Sequence, residues 1–423
     1  MALARTSLRG FMVHAKYLLR VAQNKQTPVT FVIGNESADL DSISSAIVYS
    51  YIATISPQSR RPAVFHVPVI NIPKADLSLR PELIALLPKA NINREHLITL
   101  DDLGDPSTYE RRLPPEQTRW ILVDHNALQG KLGELYSSRV VGTIDHHEDE
   151  GKVPQDVEGE PRTITTCGSC SSLIINHFRN QWDSWFLTVS FSGAANGQGD
   201  NLIEDGAFAT LWDAQVAHMS LAAVLVDTAN LKDENKTTEQ DRQAVEYLET
   251  KIKMSLKLGK DYDRDSFFDA MQKAKEDLGP LSIRDILRKD YKEWRDGDVV
   301  LGTSAVVRPF AFLSKKAEEE GKGDLIDHCK AFAEERGLSV VSVMTAYTDE
   351  DGSFARQLLV AGGSEKGRKV IEQFRQTSAD DLDLQQLEQG DDQGWQHFIW
   401  QQKNLAASRK QVAPLLRQAM SSA

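Results

Sequence analysis

Three apolar runs in this chain each lead into a short cluster of acidic or histidine residues, and this pattern constrains the fold more than any other feature. The runs cover residues 30–33, 120–123 and 140–144, and they have the length and composition of buried strands. Helical segments alternate with them, as in a parallel sheet with crossover helices. We therefore predict an α/β fold in which several clusters lie at one edge of a sheet.

The clusters contain ligands suited to divalent cations. The carboxyl ends of parallel strands lie at the edge where α/β sheets bind ligands. Oxygen donors suit Mg²⁺ or Mn²⁺, and a histidine nitrogen shifts the preference toward Mn²⁺ or Co²⁺. A pair of ions could activate a water as the attacking hydroxide. An isolated Asp-x-Asp is usually structural, but these three clusters and a fourth, Asp227-Thr228, together favour a two-metal hydrolase. The candidate ligands are Asp39, Asp41, Asp124, His146 and Asp227.

Composition excludes several other classes of protein. The net charge of −12 argues against nucleic acid and anionic membranes as partners. We expect no apolar stretch that approaches the roughly 18 residues of a membrane helix. Three cysteines do not provide a disulfide framework, which indicates a reducing compartment. We expect a cytoplasmic protein that is a monomer.

The N-terminus leaves one question of localisation open. The first 35 residues contain five basic residues and no acidic residue. Such a segment is compatible with a mitochondrial transit peptide. The alternative, which we favour, is a basic amphipathic helix that packs just before the first strand.

At 423 residues the chain is long for one domain, so two are expected. The pattern breaks near residues 277–280. We place an N-terminal parallel-sheet domain at residues 1–275 and a smaller C-terminal α+β domain at 282–423. Strands are predicted at 299–307, 338–345 and 357–360, with a last helix at 414–420. The acidic, glutamine-rich stretch 380–394 is expected to be a solvated loop or a fraying helix.

The C-terminal domain also contains a candidate basic surface. Arg409 and Lys410 lie shortly before the last predicted helix, and Lys292 and Arg308 extend the set of cations. Charged helix faces are usually only solvated, but cationic side chains are also what phosphoryl transfer requires around its charged transition state.

The motifs together resemble the DHH phosphoesterase superfamily, and the resemblance covers nearly the whole chain. Within it, the chain is similar to family II inorganic pyrophosphatases and most similar to fungal exopolyphosphatases, with the animal prune proteins as relatives. The C-terminal domain resembles the DHHA2 domain. The matching segments are residues 34–42, 123–126, 144–147, 226–228 and 408–412.

The resemblance implies roles for individual residues. Asp39 and Asp41 would each bind a different ion, Asp124 and Asp227 would bridge the ions, and His146 would bind the second. Asp145 would orient the neighbouring histidine. His147 would contact the substrate phosphate and donate a proton. Phosphate would be held by Lys292, Arg409 and Lys410, with Arg308 and His125 as further substrate-binding candidates.

Residue 35 departs from the pyrophosphatase pattern. Family II pyrophosphatases have a metal-binding histidine at the position of Asn35, whereas the exopolyphosphatases share the asparagine. We therefore count Asn35 among the substrate-site residues and expect one metal to be held more loosely. The prune proteins lose the His-His pair, which this chain keeps.

We expect an exopolyphosphatase that uses two divalent ions to release terminal orthophosphate from inorganic polyphosphate. Two alternatives remain open at this stage. One keeps the metal site and changes the substrate to pyrophosphate or a cyclic nucleotide. The other is a prune-like binding protein.

Overall fold

The structure, a computed structural model, describes residues 6–55, 64–157, 160–192, 201–349, 351–392 and 394–422. The chain divides into two compact units, Met1–Lys275 and Glu276–Ala423. Each unit has its own sheet.

The N-terminal unit alternates helices and strands. Its strands are β1 (Val29–Ile33), β2 (His66–Val69), β3 (Thr118–Val123), β4 (Val140–Asp145) and β5 (Arg162–Ile164). Its helices are α1 (Leu8–Lys25), α2 (Leu40–Ile55), α3 (Pro81–Leu86), α4 (Leu100–Leu103), α5 (Tyr109–Arg112), α6 (Gly130–Tyr136), α7 (Cys170–Ser192), α8 (Asn201–Asp227), α9 (Glu239–Lys253) and α10 (Arg264–Glu276).

The five strands form a parallel sheet in the order β2-β1-β3-β4-β5. The three strands predicted from the sequence are therefore confirmed. Ile33 pairs with Leu122, and Val123 pairs with Ile144, so the ends of β1, β3 and β4 lie side by side. The chain order reverses between β1 and β3, which is the switch point where open α/β sheets bind ligands.

Both faces of this sheet are covered. Val32 and Val123 pack on one side into a core with residues of α2, α7, α8 and α9. Phe31 and Trp120 face the other side, where Ala15 of α1 packs. Burial on both faces explains why the strands are continuous apolar runs rather than alternating ones.

Helix α1 belongs to this core. Its first half contributes Leu8, Phe11 and Met12 to one apolar cluster, and its second half contributes Leu19 and Ala22 to another. This packing supports the interpretation of the basic N-terminal segment as a helix of the fold.

Part of α8 was not anticipated. The segment Ala207–Asp227 is long and apolar enough to cross a membrane by length and composition alone, and 78% of its apolar window is buried inside the fold. Core helices of soluble proteins pass the same test. The expectation that no apolar stretch approaches membrane-spanning length is wrong for this helix.

The C-terminal unit is an α+β structure around a mixed sheet in the order β11-β12-β10-β8-β7-β6, with β9 paired to β10. Strands β7 and β8 are parallel, and the other pairs are antiparallel. Its strands are β6 (Tyr291–Asp296), β7 (Val299–Val306), β8 (Val340–Thr345), β9 (Tyr347–Thr348), β10 (Phe354–Gly362), β11 (Leu384–Asp392) and β12 (Trp395–Gln402). Its helices are α11 (Ile283–Lys289), α12 (Phe310–Glu320), α13 (Leu325–Arg336), α14 (Glu365–Ser378) and α15 (Arg409–Ser421).

Two predictions for this unit are wrong. Residues 384–392 form edge strand β11 rather than a loop. Their backbone pairs with β12, and this pairing outweighs the low strand propensity of their polar side chains. Helix α15 begins at Arg409, five residues before Pro414, because the Ser408 side chain accepts the backbone N–H of Lys410 and caps the helix. Arg409 and Lys410 are therefore the first residues of the helix.

Candidate metal centre

The turn after β1 brings the first cluster to the sheet edge. A Cβ at Gly34 would lie 2.8 Å from the Cβ of Ser42 and 2.9 Å from its carbonyl oxygen, so only glycine allows this close approach to α2. The Oδ1 atom of Asp39 accepts the backbone N–H of Ser42 at 3.0 Å. Asp39 thus accepts one of the N–H groups in the first turn of α2, as an N-cap residue does. Helix α2 begins at Leu40, so Ser42 lies within its first turn.

Asp124, at the end of β3, lies at the centre of the cluster. Its backbone has a φ of 61°, a left-handed conformation that costs energy in a residue other than glycine. Its Oδ2 accepts hydrogen bonds from Nδ2 of Asn35 at 2.8 Å and from Oγ of Ser42 at 2.6 Å. Its Oδ1 lies 3.1 Å from Nε2 of His146. This carboxylate therefore joins the ends of β1, β3 and β4.

The ring of His146 is oriented by a backbone carbonyl. Its Nδ1 lies 3.0 Å from the carbonyl oxygen of Cys167, which can only accept a hydrogen bond. Nδ1 therefore carries a proton, and Nε2 is the atom directed at Asp124. A histidine whose second nitrogen bonds a carbonyl is arranged as metal-binding histidines commonly are.

The structure holds Asp41 at the start of α7. Its Oδ2 accepts the backbone N–H of Cys170 at 2.6 Å. Its Oδ1 accepts the N–H of Ser171 at 2.9 Å and the Oγ of Ser169 at 2.8 Å. A carboxylate at this position is stabilised by the helix dipole as well as by the bonds.

Asp145 connects to the second histidine of the pair. Its Oδ1 lies 2.8 Å from Nδ1 of His147 and accepts the backbone N–H groups of His146 and His147. Its Oδ2 accepts Nδ2 of Asn126 at 2.6 Å. These bonds lower the pKa of Asp145, although burial acts to raise it. The His147 side chain is half exposed, with its Nε2 on the side away from this bond.

The carboxylates repel one another. Burial raises the pKa of Asp124 well above that of an ordinary carboxyl group, and Asp39 and Asp41 add to the rise against the opposing bond to His146. Burial, Asp41 and Asp39 likewise raise the pKa of Asp227 at the end of α8. Negative charge gathered in this way favours a bound cation.

The donor set fits a divalent cation. One ligand atom from each of Asp124, His146 and His147 lies within 4.8 Å of the other two. The carboxylates of Asp39 and Asp41 act electrostatically on both Asp124 and Asp227, and Asp124 also acts on Asp227. Carboxylates with imidazole nitrogen suit Mn²⁺ and Co²⁺, and the excess of oxygen also suits Mg²⁺.

The two proposed substrate contacts of the N-terminal unit differ in environment. Asn35 donates a hydrogen bond through Nδ2 to the carboxylate of Asp124, and its Oδ1 accepts one from the backbone N–H of Ser37. The Nδ1 of His125 lies 3.0 Å from the carbonyl oxygen of Val123. Its Nε2 is a buried atom with no partner among the described residues. Burial lowers the pKa of His125, which favours the neutral form of the ring.

The predicted phosphate-binding cations lie in the C-terminal unit. Arg409 donates through Nη1 to the carbonyl oxygen of Asp290 at 2.7 Å, which fixes the side chain at the start of β6. Lys410 is exposed on α15, and Lys292 is exposed on β6. Arg308 donates through Nε to the carbonyl oxygen of Glu276 at 3.1 Å.

Comparison with known proteins identifies the family. The N-terminal domain of the DHH family matches residues 29–193, and the DHHA2 domain matches residues 269–419. A protein of Schizosaccharomyces pombe named "Putative exopolyphosphatase" is 34% identical over 393 residues, which are 92% of this chain and 90% of that protein. The chain belongs to the DHH family.

Other matches of this DHH family chain have related names. Human "Exopolyphosphatase PRUNE1" is 26% identical over 81% of this chain and 65% of the human protein. The "Manganese-dependent inorganic pyrophosphatase" of Methanothrix thermoacetophila is 23% identical over 78% of this chain and 85% of its own length. The crystal structure of a Methanococcus jannaschii "putative family II inorganic pyrophosphatase" has a TM-score of 0.52 and 19% identity, covering 93% of this chain and 100% of that one, and shares the fold.

The sequence analysis did not predict several contacts made by the carboxylates of the metal centre. Ser42 and Asn126 bond the carboxylates of Asp124 and Asp145, respectively. Both are the last residues of segments that the sequence singles out, 34–42 and 123–126, so their position could have indicated these contacts. Asp241 binds the segment that holds Asp41, and nothing near it in the sequence signals this role.

Proposed function

We propose that this chain is a metal-dependent exopolyphosphatase that hydrolyses the terminal phosphoanhydride bond of inorganic polyphosphate and releases orthophosphate. The observation that carries the proposal is the convergence of Asp124, His146 and His147 in a chain that matches an exopolyphosphatase-named protein over nearly its whole length. The names of the prune and pyrophosphatase relatives support the same reaction class.

We further propose that two divalent ions, Mg²⁺ or Mn²⁺ with Co²⁺ as an alternative, are bound by the clustered ligands. The ligands would be Asp39, Asp41, Asp124, His146 and Asp227. Bound ions of this kind supply a nucleophile from water at neutral pH and neutralise charge on phosphate. Asp124, just after the end of β3, contacts Asn35 after β1 and His146 after β4, so it would lie between the ligands that these strands contribute.

His147 is proposed as the residue that contacts the reacting phosphate. Its Nδ1 is held by Asp145 at 2.8 Å, so Nε2 is left to face solvent or substrate. A histidine held in this way can donate a proton to the leaving oxygen. Asp145 keeps the ring in one orientation.

Cationic side chains of the C-terminal unit are proposed to bind the phosphate groups of the substrate. Arg409 and Lys410 are the first residues of α15, where the positive end of the helix dipole also favours an anion. A guanidinium or ammonium group at this point stabilises phosphate oxygens as charge develops on them. Lys292 and Arg308 are the remaining candidates.

Phosphate release from polyphosphate tests the proposal. The purified chain is assayed with Mg²⁺, with Mn²⁺ and after chelation, and the assay is repeated with Asp124→Ala. We expect release that depends on the metal and is lost in the variant. Release that survives chelation, or an unaffected variant, would overturn the proposal.

The same assay separates the alternatives. Parallel turnover of pyrophosphate and cyclic AMP under matched conditions shows whether polyphosphate is the preferred substrate. A chain that binds Mn²⁺ but hydrolyses none of the three compounds would support a binding role instead.

A further inference from the structure

Asp241, which lies outside the metal cluster, forms an unusually complete set of hydrogen bonds. It is fully buried near the start of α9. Its Oδ2 accepts the backbone N–H and Oγ1 of Thr238, at 2.8 and 2.7 Å, in a capping box. A capping residue needs only these bonds, yet the same carboxylate accepts four more from another part of the chain.

The additional bonds come from the short segment that precedes and begins α7. Oδ2 also accepts the backbone N–H of Gly168 at 2.9 Å. Oδ1 accepts the N–H of Ser169 at 3.2 Å, the Sγ–H of Cys167 at 3.2 Å and the Oγ–H of Ser172 at 2.7 Å. Because a carboxylate only accepts, its two oxygens can match this set of donors, which an amide cannot do.

The segment held by Asp241 is the one that positions two of the proposed metal ligands. The carbonyl oxygen of Cys167 bonds Nδ1 of His146 at 3.0 Å. Ser169 Oγ and the N–H groups of Cys170 and Ser171 bind the carboxylate of Asp41. Within residues 167–171, Cys167 and Ser169 bond both Asp241 and a proposed ligand, Gly168 bonds Asp241, and Cys170 and Ser171 bond Asp41.

Gly168 shows how tightly this layer is packed. A Cβ at this position would lie 2.7 Å from Oδ2 of Asp241 and 2.7 Å from Cγ2 of Thr228, the neighbour of Asp227. The segment is therefore confined between Asp241 and the end of α8. Any movement of Asp241 would be passed to the segment, because no space separates them.

We propose that Asp241 is a positioning residue for the metal centre, which acts through residues 167–171 to fix the rotamers of Asp41 and His146. This inference rests on the proposed function of the cluster as a metal site. Asp241 itself touches neither ligand. Its carboxylate sets the position of the donors and the acceptor that do.

The test is to titrate the Asp241→Asn variant with Mn²⁺ and to measure binding by electron paramagnetic resonance. This measurement needs no substrate. Asparagine keeps the shape but replaces one accepting oxygen with a donor. In one amide orientation this donor opposes the N–H of Ser169, and in the other it opposes the N–H groups of Thr238 and Gly168. We expect Mn²⁺ affinity about 10- to 100-fold weaker, the usual effect of losing a residue that orients metal ligands. At saturating Mn²⁺, the KM for polyphosphate should remain that of the wild type.

Asp102→Asn is the matched control. Asp102 accepts the backbone N–H of Thr99 at 2.9 Å and forms the same Thr-x-x-Asp capping box at α4, in the same unit. It makes none of the bonds to residues 167–172. Its Mn²⁺ affinity should equal that of the wild type, which separates the loss of a cap from the loss of positioning.

A milder variant covers the case in which Asp241→Asn does not fold. Ser172→Ala removes one of the six bonds to the carboxylate and leaves the capping box intact. We expect a smaller loss of Mn²⁺ affinity in the same direction. Wild-type affinity in a folded Asp241→Asn, or in Ser172→Ala when Asp241→Asn is unfolded, would overturn the inference. Mn²⁺ binding without polyphosphate hydrolysis in the wild type would instead overturn the proposed function alone.

Discussion

Nε2 of His146 lies 3.1 Å from Oδ1 of Asp124, although the two residues end different strands and are 22 positions apart. The contact depends on the neighbouring positions of β3 and β4 in the sheet. It places one nitrogen donor beside the central carboxylate of the cluster, and it bears on which metal the site prefers.

Replacing His146 should therefore change metal selectivity. Imidazole favours Mn²⁺ over Mg²⁺, so His146→Ala should weaken Mn²⁺ binding more than Mg²⁺ binding. The ratio of the two dissociation constants, measured by calorimetric titration, checks this. His177→Ala, which removes an exposed histidine from α7, should leave the ratio unchanged. An equal loss of affinity for both ions would show that His146 acts only in packing.

Asp145→Asn should reduce turnover by about 10- to 100-fold, the usual effect of removing a residue that orients an active-site histidine. The amide would lose its bond from Nδ2 of Asn126, because two donors would face each other across 2.6 Å. The measurement is kcat at saturating metal and substrate. Asp149→Asn, at an exposed residue paired with Arg162, is the control. Unchanged kcat in Asp145→Asn would refute the role of the carboxylate in holding His147.

Lys410→Ala should lower kcat/KM for polyphosphate roughly tenfold or more, since hydrogen bonds to charged groups contribute about 1.5–3 kcal/mol. Mn²⁺ affinity should not change. Lys403→Ala removes an exposed lysine that precedes α15 and should have no effect on either quantity. Equal losses in the two lysine variants would indicate a general effect of surface charge.

His66 makes the stability of the fold depend on pH. Burial, with a contribution from the charge of Arg119, lowers the pKa of this β2 histidine to about 4. In the unfolded chain the His66 ring binds a proton below about pH 6.5, whereas in the folded chain it does so only near pH 4. The free energy of unfolding should therefore fall by up to about 3 kcal/mol as the pH drops from 6.5 to 4.

Urea denaturation at pH 7, 5.5 and 4 measures this loss, with His66→Gln as the comparison. The variant lacks the titrating ring, so its stability should decline less over the same range. Parallel slopes for the two proteins would show that other groups cause the acid sensitivity.

The sheet edge could be predicted from the sequence because its cause is local. Each apolar run forms a buried strand, and parallel strands end at the same edge, so Asp39, Asp124 and Asp145 had to lie near one another. The contact between Asp241 and Gly168 could not be predicted in the same way. It joins residues 73 positions apart, and only the packing of α7 against α9 determines it.

The C-terminal unit shows a second limit. The polar sequence of β11 has low strand propensity, and its pairing with β12 prevails over that preference. The start of α15 at Arg409 depends on the capping bonds of Ser408, whereas the sequence analysis predicted that the helix begins at Pro414. Hydrogen bonds made by a single side chain decided both the length of this helix and the position of its cations.

The product time course on polyphosphate of one defined length tests the central claim most directly. The wild-type chain is incubated with Mn²⁺, and the products are separated by size while orthophosphate is measured in the same samples. The account predicts that orthophosphate appears from the earliest time point as chains shorten from their ends, and that chelation stops both. Internal fragments that appear before orthophosphate, or shortening that continues without metal, would contradict it.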